Sequence, residues 1–299
     1  MPRRPRPRAA LHLDPTLKGH PVHCLLFPGQ GVQRRGMGAD LFGRYPQETA
    51  TADEILGWSI EELCTRDPHR RLRDTRYAQP AVFFVNALLA RQLTGERHYH
   101  YFAGHSLGEY NALVAAGVLD LAAALRLVDR RAELMAEVTG GGMSAVQGLP
   151  VSFVRRALTE TGLPRVFLAN LNADTQNTIA GDRAELAVAA KAIGALPGAR
   201  VVPLNVSGPF HTPLMAPAAE RFRAALADCA FATPHTPVVS SVTGDVLDPA
   251  QAADLLARQL WTPVEWVRAV TTLRAAGVTE FDEVNGKTLS AFLTRIAER

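Results

Sequence analysis

Residues 102–110 read FAGHSLGEY and place a Gly-x-Ser-x-Gly motif, centred on Ser106, between a predicted strand and a predicted helix. An apolar and aromatic run at residues 99–103 precedes the motif, and residues 107–119 follow it with helix-compatible apolar spacing. The two glycines of the motif let strand and helix approach closely and leave the serine hydroxyl exposed at the apex of a sharp turn. The pattern favours a nucleophilic serine over a serine that only caps the helix.

Strands and helices alternate around this motif, which predicts an α/β fold. Residues 22–27 read as a short apolar strand, and residues 80–93 and 121–136 read as amphipathic helices. After the last predicted inserted strand, the pattern continues as a helix at 216–229, a strand at 238–242, helices at 250–260 and 264–276, a strand at 280–284 and a closing helix from 287.

The order of predicted strands and helices changes after three glycines at 140–142, which we interpret as a hinge-like break. The predicted order that follows is β-α-β-β-α-β, the order of a ferredoxin-like unit. Its elements are expected at residues 144–149, 151–160, 165–171, 176–180, 183–193 and 200–205. We therefore expect a large α/β-hydrolase-like domain with a parallel-sheet core, residues 21–139 and 207–299, and an inserted ferredoxin-like subdomain, residues 140–206.

The ends and the charge of the chain exclude several classes of function. The 299 residues are 47% hydrophobic, enough for a sizeable core, and the net charge is only +3. Residues 2–8 contain four arginines, so we expect residues 1–20 to form a disordered basic arm rather than a nucleic-acid-binding surface. No apolar run approaches the length of a membrane span, and we expect a cytoplasmic protein without a nucleic-acid or membrane partner.

The three cysteines, Cys24, Cys64 and Cys229, are scattered without the spacing of metal ligands. Reduced thiols in or near the core are therefore expected, with neither a metal site nor a disulfide framework.

A serine nucleophile needs a base, because its hydroxyl is too weakly acidic to attack unassisted at neutral pH. The best candidate is His211, which follows the predicted subdomain and is flanked by glycine and prolines in SGPFHTPLM. That position lets it face a cleft between the two parts of the chain. His105, beside Ser106 on the turn, is a poorer base because it is expected to point elsewhere.

The chain resembles the malonyl-CoA:acyl carrier protein transacylases, the acyltransferases of fatty acid and polyketide synthesis. Six motifs carry the resemblance, fall in the family's order and cover the chain from about Val22 to Ile296. They are FPGQG at 27–31, YAQPA at 77–81, GHSLGEY at 104–110, LVDRR at 127–131, GPFH at 208–211 and RQLWTPV at 258–264.

The resemblance implies catalytic roles for five positions. Ser106 would form the acyl-enzyme, and His211 would act as base and then as acid. The backbone carbonyl of Gln259 would orient the histidine, while Gln30 and the amide of Leu107 would form the oxyanion hole.

The resemblance also implies a set of substrate-binding residues. Arg131 would pair with the free carboxylate of a malonyl group, a bidentate contact that lysine makes less well. Gln79 would line the acyl pocket, with His105 nearby. Phe210 resembles the residue of malonyl-selecting members, whose bulky ring leaves little space for an α-methyl branch.

The implied reaction uses a coenzyme A thioester as donor and the phosphopantetheine thiol of an acyl carrier protein as acceptor, without a metal or redox cofactor. One departure from the family concerns residues 283–287, EVNGK, which are one residue shorter than the usual Glu-x-Gly-x-Gly-Lys. The loop that closes the back of the site is therefore expected to differ.

Other functions remain open on the same scaffold. One is an acyl hydrolase that clears acyl groups from carrier proteins, against which Arg131 argues. Another is an acyltransferase for a non-malonyl group, including transfer between carrier proteins. A non-catalytic carrier-binding module is disfavoured because both Ser106 and His211 are present.

Overall fold

The computed structural model describes residues 20–297, so residues 1–19 of the predicted arm lie outside the described residues. The described chain forms two four-stranded sheets. The strands are β1 (His23–Phe27), β2 (Tyr101–Gly104), β3 (Gly141–Gln147), β4 (Val166–Ala173), β5 (Gln176–Asp182), β6 (Arg200–Pro203), β7 (Val238–Val239) and β8 (Glu280–Glu283).

The first sheet is parallel, with the strand order β7-β2-β1-β8. Its two central strands are short apolar runs, and both are buried almost completely, as expected for parallel strands covered on both faces. The predicted parallel core is therefore confirmed, and Ser106 follows the end of the central strand β2.

The second sheet is antiparallel, with the order β4-β5-β3-β6. Two helices, α6 (Val151–Thr161) and α7 (Arg183–Gly194), complete the predicted β-α-β-β-α-β order. The interpretation of residues 140–142 as a hinge is wrong, because Gly141 and Gly142 pair with β5 inside β3. A Cβ on Gly141 would lie 2.6 Å from Cδ of Pro209, so close approach to the returning chain explains this glycine.

Within residues 20–297, nine further α-helices surround the two sheets. They are α1 (Pro46–Leu56), α2 (Ile60–Arg66), α3 (Thr75–Glu96), α4 (Gly108–Ala115), α5 (Leu121–Glu137), α8 (Ala216–Ala227), α9 (Ala252–Gln259), α10 (Trp266–Ala275) and α11 (Thr288–Leu293). The sequence did not predict α1 and α2. Helix α3 begins before the predicted start at Pro80, because the carboxylate of Asp74 caps it by accepting a hydrogen bond from the amide of Arg76.

Val264 pairs with the edge of the second sheet instead of opening α10 as predicted. Its amide donates to the carbonyl of Ala169, and its own carbonyl accepts from the amide of Leu171 on β4. The segment between α9 and α10 therefore runs along the edge of the second sheet, which places the end of α9 beside the Ser106 turn.

Cys24 and Cys64 are buried and Cys229 is half-buried, so all three cysteines lie in or near the core, as predicted. Within residues 20–297, no helix combines the length and the apolar character needed to cross a membrane.

Candidate active site

The turn between β2 and α4 holds Ser106 in a left-handed conformation, with a φ of 53°. A Cβ on Gly104 would lie 2.0 Å from the carbonyl carbon of Gly108. A Cβ on Gly108 would in turn lie 2.0 Å from the carbonyl oxygen of Phe27 on β1. Only glycine fits at both positions, and the close packing holds a strained serine at the apex of the turn.

His211 faces the hydroxyl of Ser106. Its Nε2 lies 2.8 Å from Oγ of Ser106, and its Nδ1 lies 2.7 Å from the main-chain carbonyl oxygen of Gln259. A carbonyl oxygen only accepts hydrogen bonds, so Nδ1 carries the proton and Nε2 presents its lone pair to the serine. Gln259 is the last residue of α9, where carbonyl groups lack partners within the helix.

His211 is neutral in this setting. Burial and then the positive charge of Arg131 lower its pKa from the usual 6.5 to about 3. The backbone at His211 is also left-handed, with a φ of 61°. The serine and the histidine thus both have backbone strain, which is typical of functional sites.

Arg131 of α5 is buried beside this pair. Its Nη2 lies 3.1 Å from Oγ of Ser106 and 3.1 Å from Oε1 of Gln259, and its Nη1 donates to Oε1 of Gln79. The guanidinium carbon also lies 5.7 Å from the ring centroid of Tyr110. Burial lowers the pKa of Arg131, yet a guanidinium stays charged in proteins. A buried cation whose partners are all neutral is suited to receive an anion.

Gln79 and Phe210 lie close to these groups. The amide nitrogen of Gln79 faces the sulfur of Met135 at 3.5 Å, while its oxygen faces Arg131. The ring of Phe210 packs over Gly208, where a Cβ would lie 2.7 Å from the ring edge. The buried ring therefore occupies space directly beside the backbone of His211.

Gln30 belongs to the turn that follows β1. A Cβ on its neighbour Gly29 would lie 2.7 Å from the carbonyl oxygen of His105 and 3.7 Å from the amide nitrogen of Leu107. The turn therefore packs against the Ser106 turn and brings Gln30 close to Leu107. The side chain of Gln30 donates to the hydroxyl of Thr75 at 3.4 Å.

His105 points away from the hydroxyl of Ser106. Its Nε2 donates to Oδ1 of Asn172 on β4 at 2.8 Å, and its ring lies 5.6 Å from the ring of Trp266. Burial lowers the pKa of His105. This histidine therefore links the nucleophile turn to the second sheet.

Glu109, a fully buried glutamate in α4, is a site residue that the sequence did not predict. Its Oε2 accepts hydrogen bonds from Oγ of Ser241 at 2.7 Å and from Nε2 of Gln259 at 2.6 Å. Burial raises the pKa of this carboxyl group. The signal was present, because Glu109 is the only charged residue in a helix that is otherwise mostly apolar.

A cavity of about 470 Å³ reaches His211 along the second sheet. It is lined by His211, by residues 261–263 after α9, by residues 166–168 of β4 and by Arg155 of α6. The histidine of the pair is therefore reached from the side of the second sheet.

The shorter loop at 283–287 contacts the back of the site through two asparagines. Nδ2 of Asn285 donates to Oδ1 of Asn86, and Nδ2 of Asn86 donates to the carbonyl of Pro28 at 3.3 Å. The carboxylate of Glu283 caps α11 by accepting from the amides of Leu289 and Ser290. The loop is thus tied to the turn that carries Gln30.

No group of His, Cys, Asp and Glu side chains within residues 20–297 is arranged to hold a metal ion.

The family model described as an acyl transferase domain matches residues 24–286 of the chain. PksC of Bacillus subtilis, a polyketide biosynthesis malonyl CoA-acyl carrier protein transacylase, is 41% identical over 275 residues, which are 91% of this chain and 96% of PksC. The polyketide biosynthesis protein ThaF of Burkholderia thailandensis is 40% identical over 283 residues. That match covers 94% of this chain and 24% of ThaF, so this chain spans about a quarter of the length of that relative.

A solved structure is similar over nearly the whole chain. It contains a malonyl-transacylase in complex with its type II PKS acyl-carrier protein. The TM-score is 0.87 at 35% sequence identity, and the match covers 92% of this chain and 93% of that chain.

Proposed function

We propose, because this chain belongs to the acyl transferase domain family, that it moves a malonyl group from coenzyme A to the phosphopantetheine thiol of an acyl carrier protein. The observation that carries the proposal is the buried guanidinium of Arg131, which lies 3.1 Å from the hydroxyl oxygen of Ser106. A carboxylate bound there would place a malonyl thioester beside the nucleophile.

In the first half-reaction, Oγ of Ser106 attacks the thioester carbonyl carbon while its proton moves to Nε2 of His211. The main-chain amides of Gln30 and Leu107 stabilise the negative oxygen of the tetrahedral intermediate. When the intermediate collapses, the carbon–sulfur bond breaks and the leaving sulfur takes the proton from His211. The products are malonyl-Ser106 and free coenzyme A.

In the second half-reaction, the thiol of the carrier protein gives its proton to His211 and attacks the malonyl ester. Collapse of the second intermediate returns the proton from Nε2 of His211 to Oγ of Ser106. The contact of Nδ1 with the carbonyl of Gln259 keeps Nε2 directed at the serine in both steps.

Malonyl binding also makes His211 a stronger base. The charge of Arg131 is the second cause, after burial, of the lowered pKa of His211. A malonyl carboxylate paired with Arg131 offsets this charge, so the pKa of His211 rises toward the range in which a base acts efficiently. The substrate carboxylate therefore contributes to chemistry as well as to binding.

We also infer the domain boundaries and the role of the domains. Residues 21–139 and 207–299 would form the α/β-hydrolase-like catalytic domain, and residues 140–206 the ferredoxin-like subdomain. The strand order β4-β5-β3-β6 and the cavity beside His211 support an insertion that covers the site. A cytoplasmic location stays a prediction.

The proposed function is tested with malonyl-CoA and a holo acyl carrier protein, by measuring malonyl-carrier and free malonate over time. The proposal predicts that malonyl-carrier is the main product. Accumulation of free malonate in its place would support a hydrolase, and faster transfer of a neutral acyl group would support a non-malonyl acyltransferase.

A further inference from the structure

Gln259 contacts four residues of the site: His211, Arg131, Ser106 and Glu109. Its main-chain oxygen accepts from His211, its Oε1 accepts from Arg131, and its Nε2 donates to the main-chain oxygen of Ser106 at 3.1 Å. The remaining hydrogen of the same amide nitrogen goes to Oε2 of Glu109 at 2.6 Å. The side-chain amide is therefore fully used, and Glu109 contacts the group that links the others.

The side chain of Gln259 has one favourable orientation between these neighbours. Arg131 only donates hydrogen bonds, so it requires the amide oxygen on its side. Oε2 of Glu109 accepts from two donors, so it requires the amide nitrogen on the opposite side. A rotated amide would set oxygen against carboxylate oxygen and nitrogen against guanidinium nitrogen, and both contacts are repulsive.

The acceptor role of Glu109 does not depend on its charge. Its other oxygen, Oε1, is buried without a hydrogen-bond partner among the described residues. A proton bound at Oε1 would leave Oε2 free to accept from Gln259 and Ser241. The arrangement therefore needs an oxygen acceptor at this position and not a negative charge.

We infer that Glu109 is a positioning residue that fixes the amide of Gln259 and, through it, the guanidinium of Arg131. This inference rests on the proposed function, because it assigns to Glu109 the selectivity for a carboxylate-bearing acyl group. Without the acceptor, the Gln259 amide keeps only its contacts with Arg131, the main-chain oxygen of Ser106 and the hydroxyl of Ser241. The amide is then held less firmly, and Arg131 and the malonyl carboxylate bound to it lose a fixed partner.

Two substitutions of similar shape separate this role from a merely structural one. Glu109→Gln retains an oxygen acceptor and removes the charge, whereas Glu109→Met removes both. We expect the ratio of malonyl to acetyl kcat/KM to fall about tenfold or more in Glu109→Met and to stay within about threefold of the wild type in Glu109→Gln. The exposed Glu133, which pairs with Arg130, provides the control Glu133→Gln.

A structural role would slow malonyl and acetyl transfer alike and leave their ratio unchanged in Glu109→Met. That result, or an equal fall of the ratio in Glu109→Gln, would overturn the inference. If Glu109→Met does not fold, Glu109→Asp replaces it, since a carboxylate shortened by one methylene withdraws the acceptor but stays polar. The ratio should fall in Glu109→Asp as well, and an unchanged ratio would overturn the inference.

A double-mutant cycle tests the route through Gln259. In a Gln259→Met background, Glu109→Met should not change the ratio further, because the amide that it positions is already absent. Additive effects would contradict the route. If the wild type does not transfer malonyl to the carrier, the proposed function fails; if it does but the Glu109 variants keep the wild-type ratio, only this inference fails.

Discussion

The guanidinium of Arg131 donates a hydrogen bond to the hydroxyl oxygen of Ser106 across 3.1 Å, so nucleophile and buried cation are in direct contact. The same hydroxyl also lies 2.8 Å from Nε2 of His211, to which it donates its proton. In this arrangement, Ser106 is activated by a neutral base and held by a cation. A malonyl carboxylate that binds Arg131 would compete for the cation and leave the serine to the base.

His211→Ala should slow single-turnover acylation by malonyl-CoA by about 10²- to 10⁴-fold, the usual contribution of a general base. His105→Ala is the control, because His105 faces Asn172 and not the serine hydroxyl. It should slow acylation less. Rapid-quench measurement of acyl-enzyme formation compares the two, and loss of acylation only in the His105 variant would reverse the assignment.

Arg131→Ala should lower kcat/KM for malonyl transfer, with a loss of about 3 kcal/mol or more of transition-state binding free energy. The loss is expected because the malonyl carboxylate then lies in a buried site without a partner. Acetyl transfer should fall little or rise, since acetyl has no carboxylate. The neighbouring Arg130→Ala, which removes an exposed arginine, serves as control. An unchanged malonyl to acetyl ratio in Arg131→Ala would mean that Arg131 does not bind the carboxylate.

His211 should make the stability of the folded chain depend on pH. Its pKa is about 3 in the folded protein and 6.5 in the reference state, so between these values the unfolded chain binds one more proton. The free energy of unfolding should therefore decrease as the pH falls from 7 to 4, by up to about 1.4 kcal/mol per pH unit from this residue.

His211→Gln removes this titration, so its free energy of unfolding should fall less between pH 7 and pH 4 than that of the wild type. Urea unfolding at several pH values measures both slopes. Equal slopes would show that His211 does not titrate between the two states as its burial requires.

Gly108→Ala should destabilise the fold by about 3 kcal/mol or more, because the added Cβ would lie 2.0 Å from the carbonyl oxygen of Phe27. Gly95→Ala, near the end of α3, is the matched control, since its Cβ would meet no atom within 4 Å. In a helix this control should stabilise by about 0.5–1 kcal/mol. Thermal unfolding of both variants measures the difference, and similar melting temperatures would contradict the tight packing at Gly108.

The sequence predicted those features whose residues lie close together along the chain. The glycines around Ser106 and the apolar run before them lie within ten residues, and the alternating pattern of residues 144–205 predicted the order of the second sheet. Helices α1 and α2 were missed because α1 has no side-chain cap at its start and α2 is only seven residues long.

The hydrogen bonds between distant residues of the site could not be predicted from the sequence. Glu109 and Gln259 lie 150 positions apart, and neither residue type predicts the other. The resemblance to a known family singled out Gln259 for its backbone carbonyl, whereas its side chain makes the contacts to Arg131 and Glu109. Packing of distant segments decides those contacts, so only the folded chain reveals them.

Ser106 carries the malonyl group in the proposed reaction. Intact-protein mass measurement after mixing the chain with malonyl-CoA, for the wild type and for Ser106→Ala, tests this role. We expect one malonyl adduct on the wild type, which disappears when a holo acyl carrier protein is added, and no adduct on Ser106→Ala. A malonyl adduct that persists on the alanine variant would mean that Ser106 is not the nucleophile.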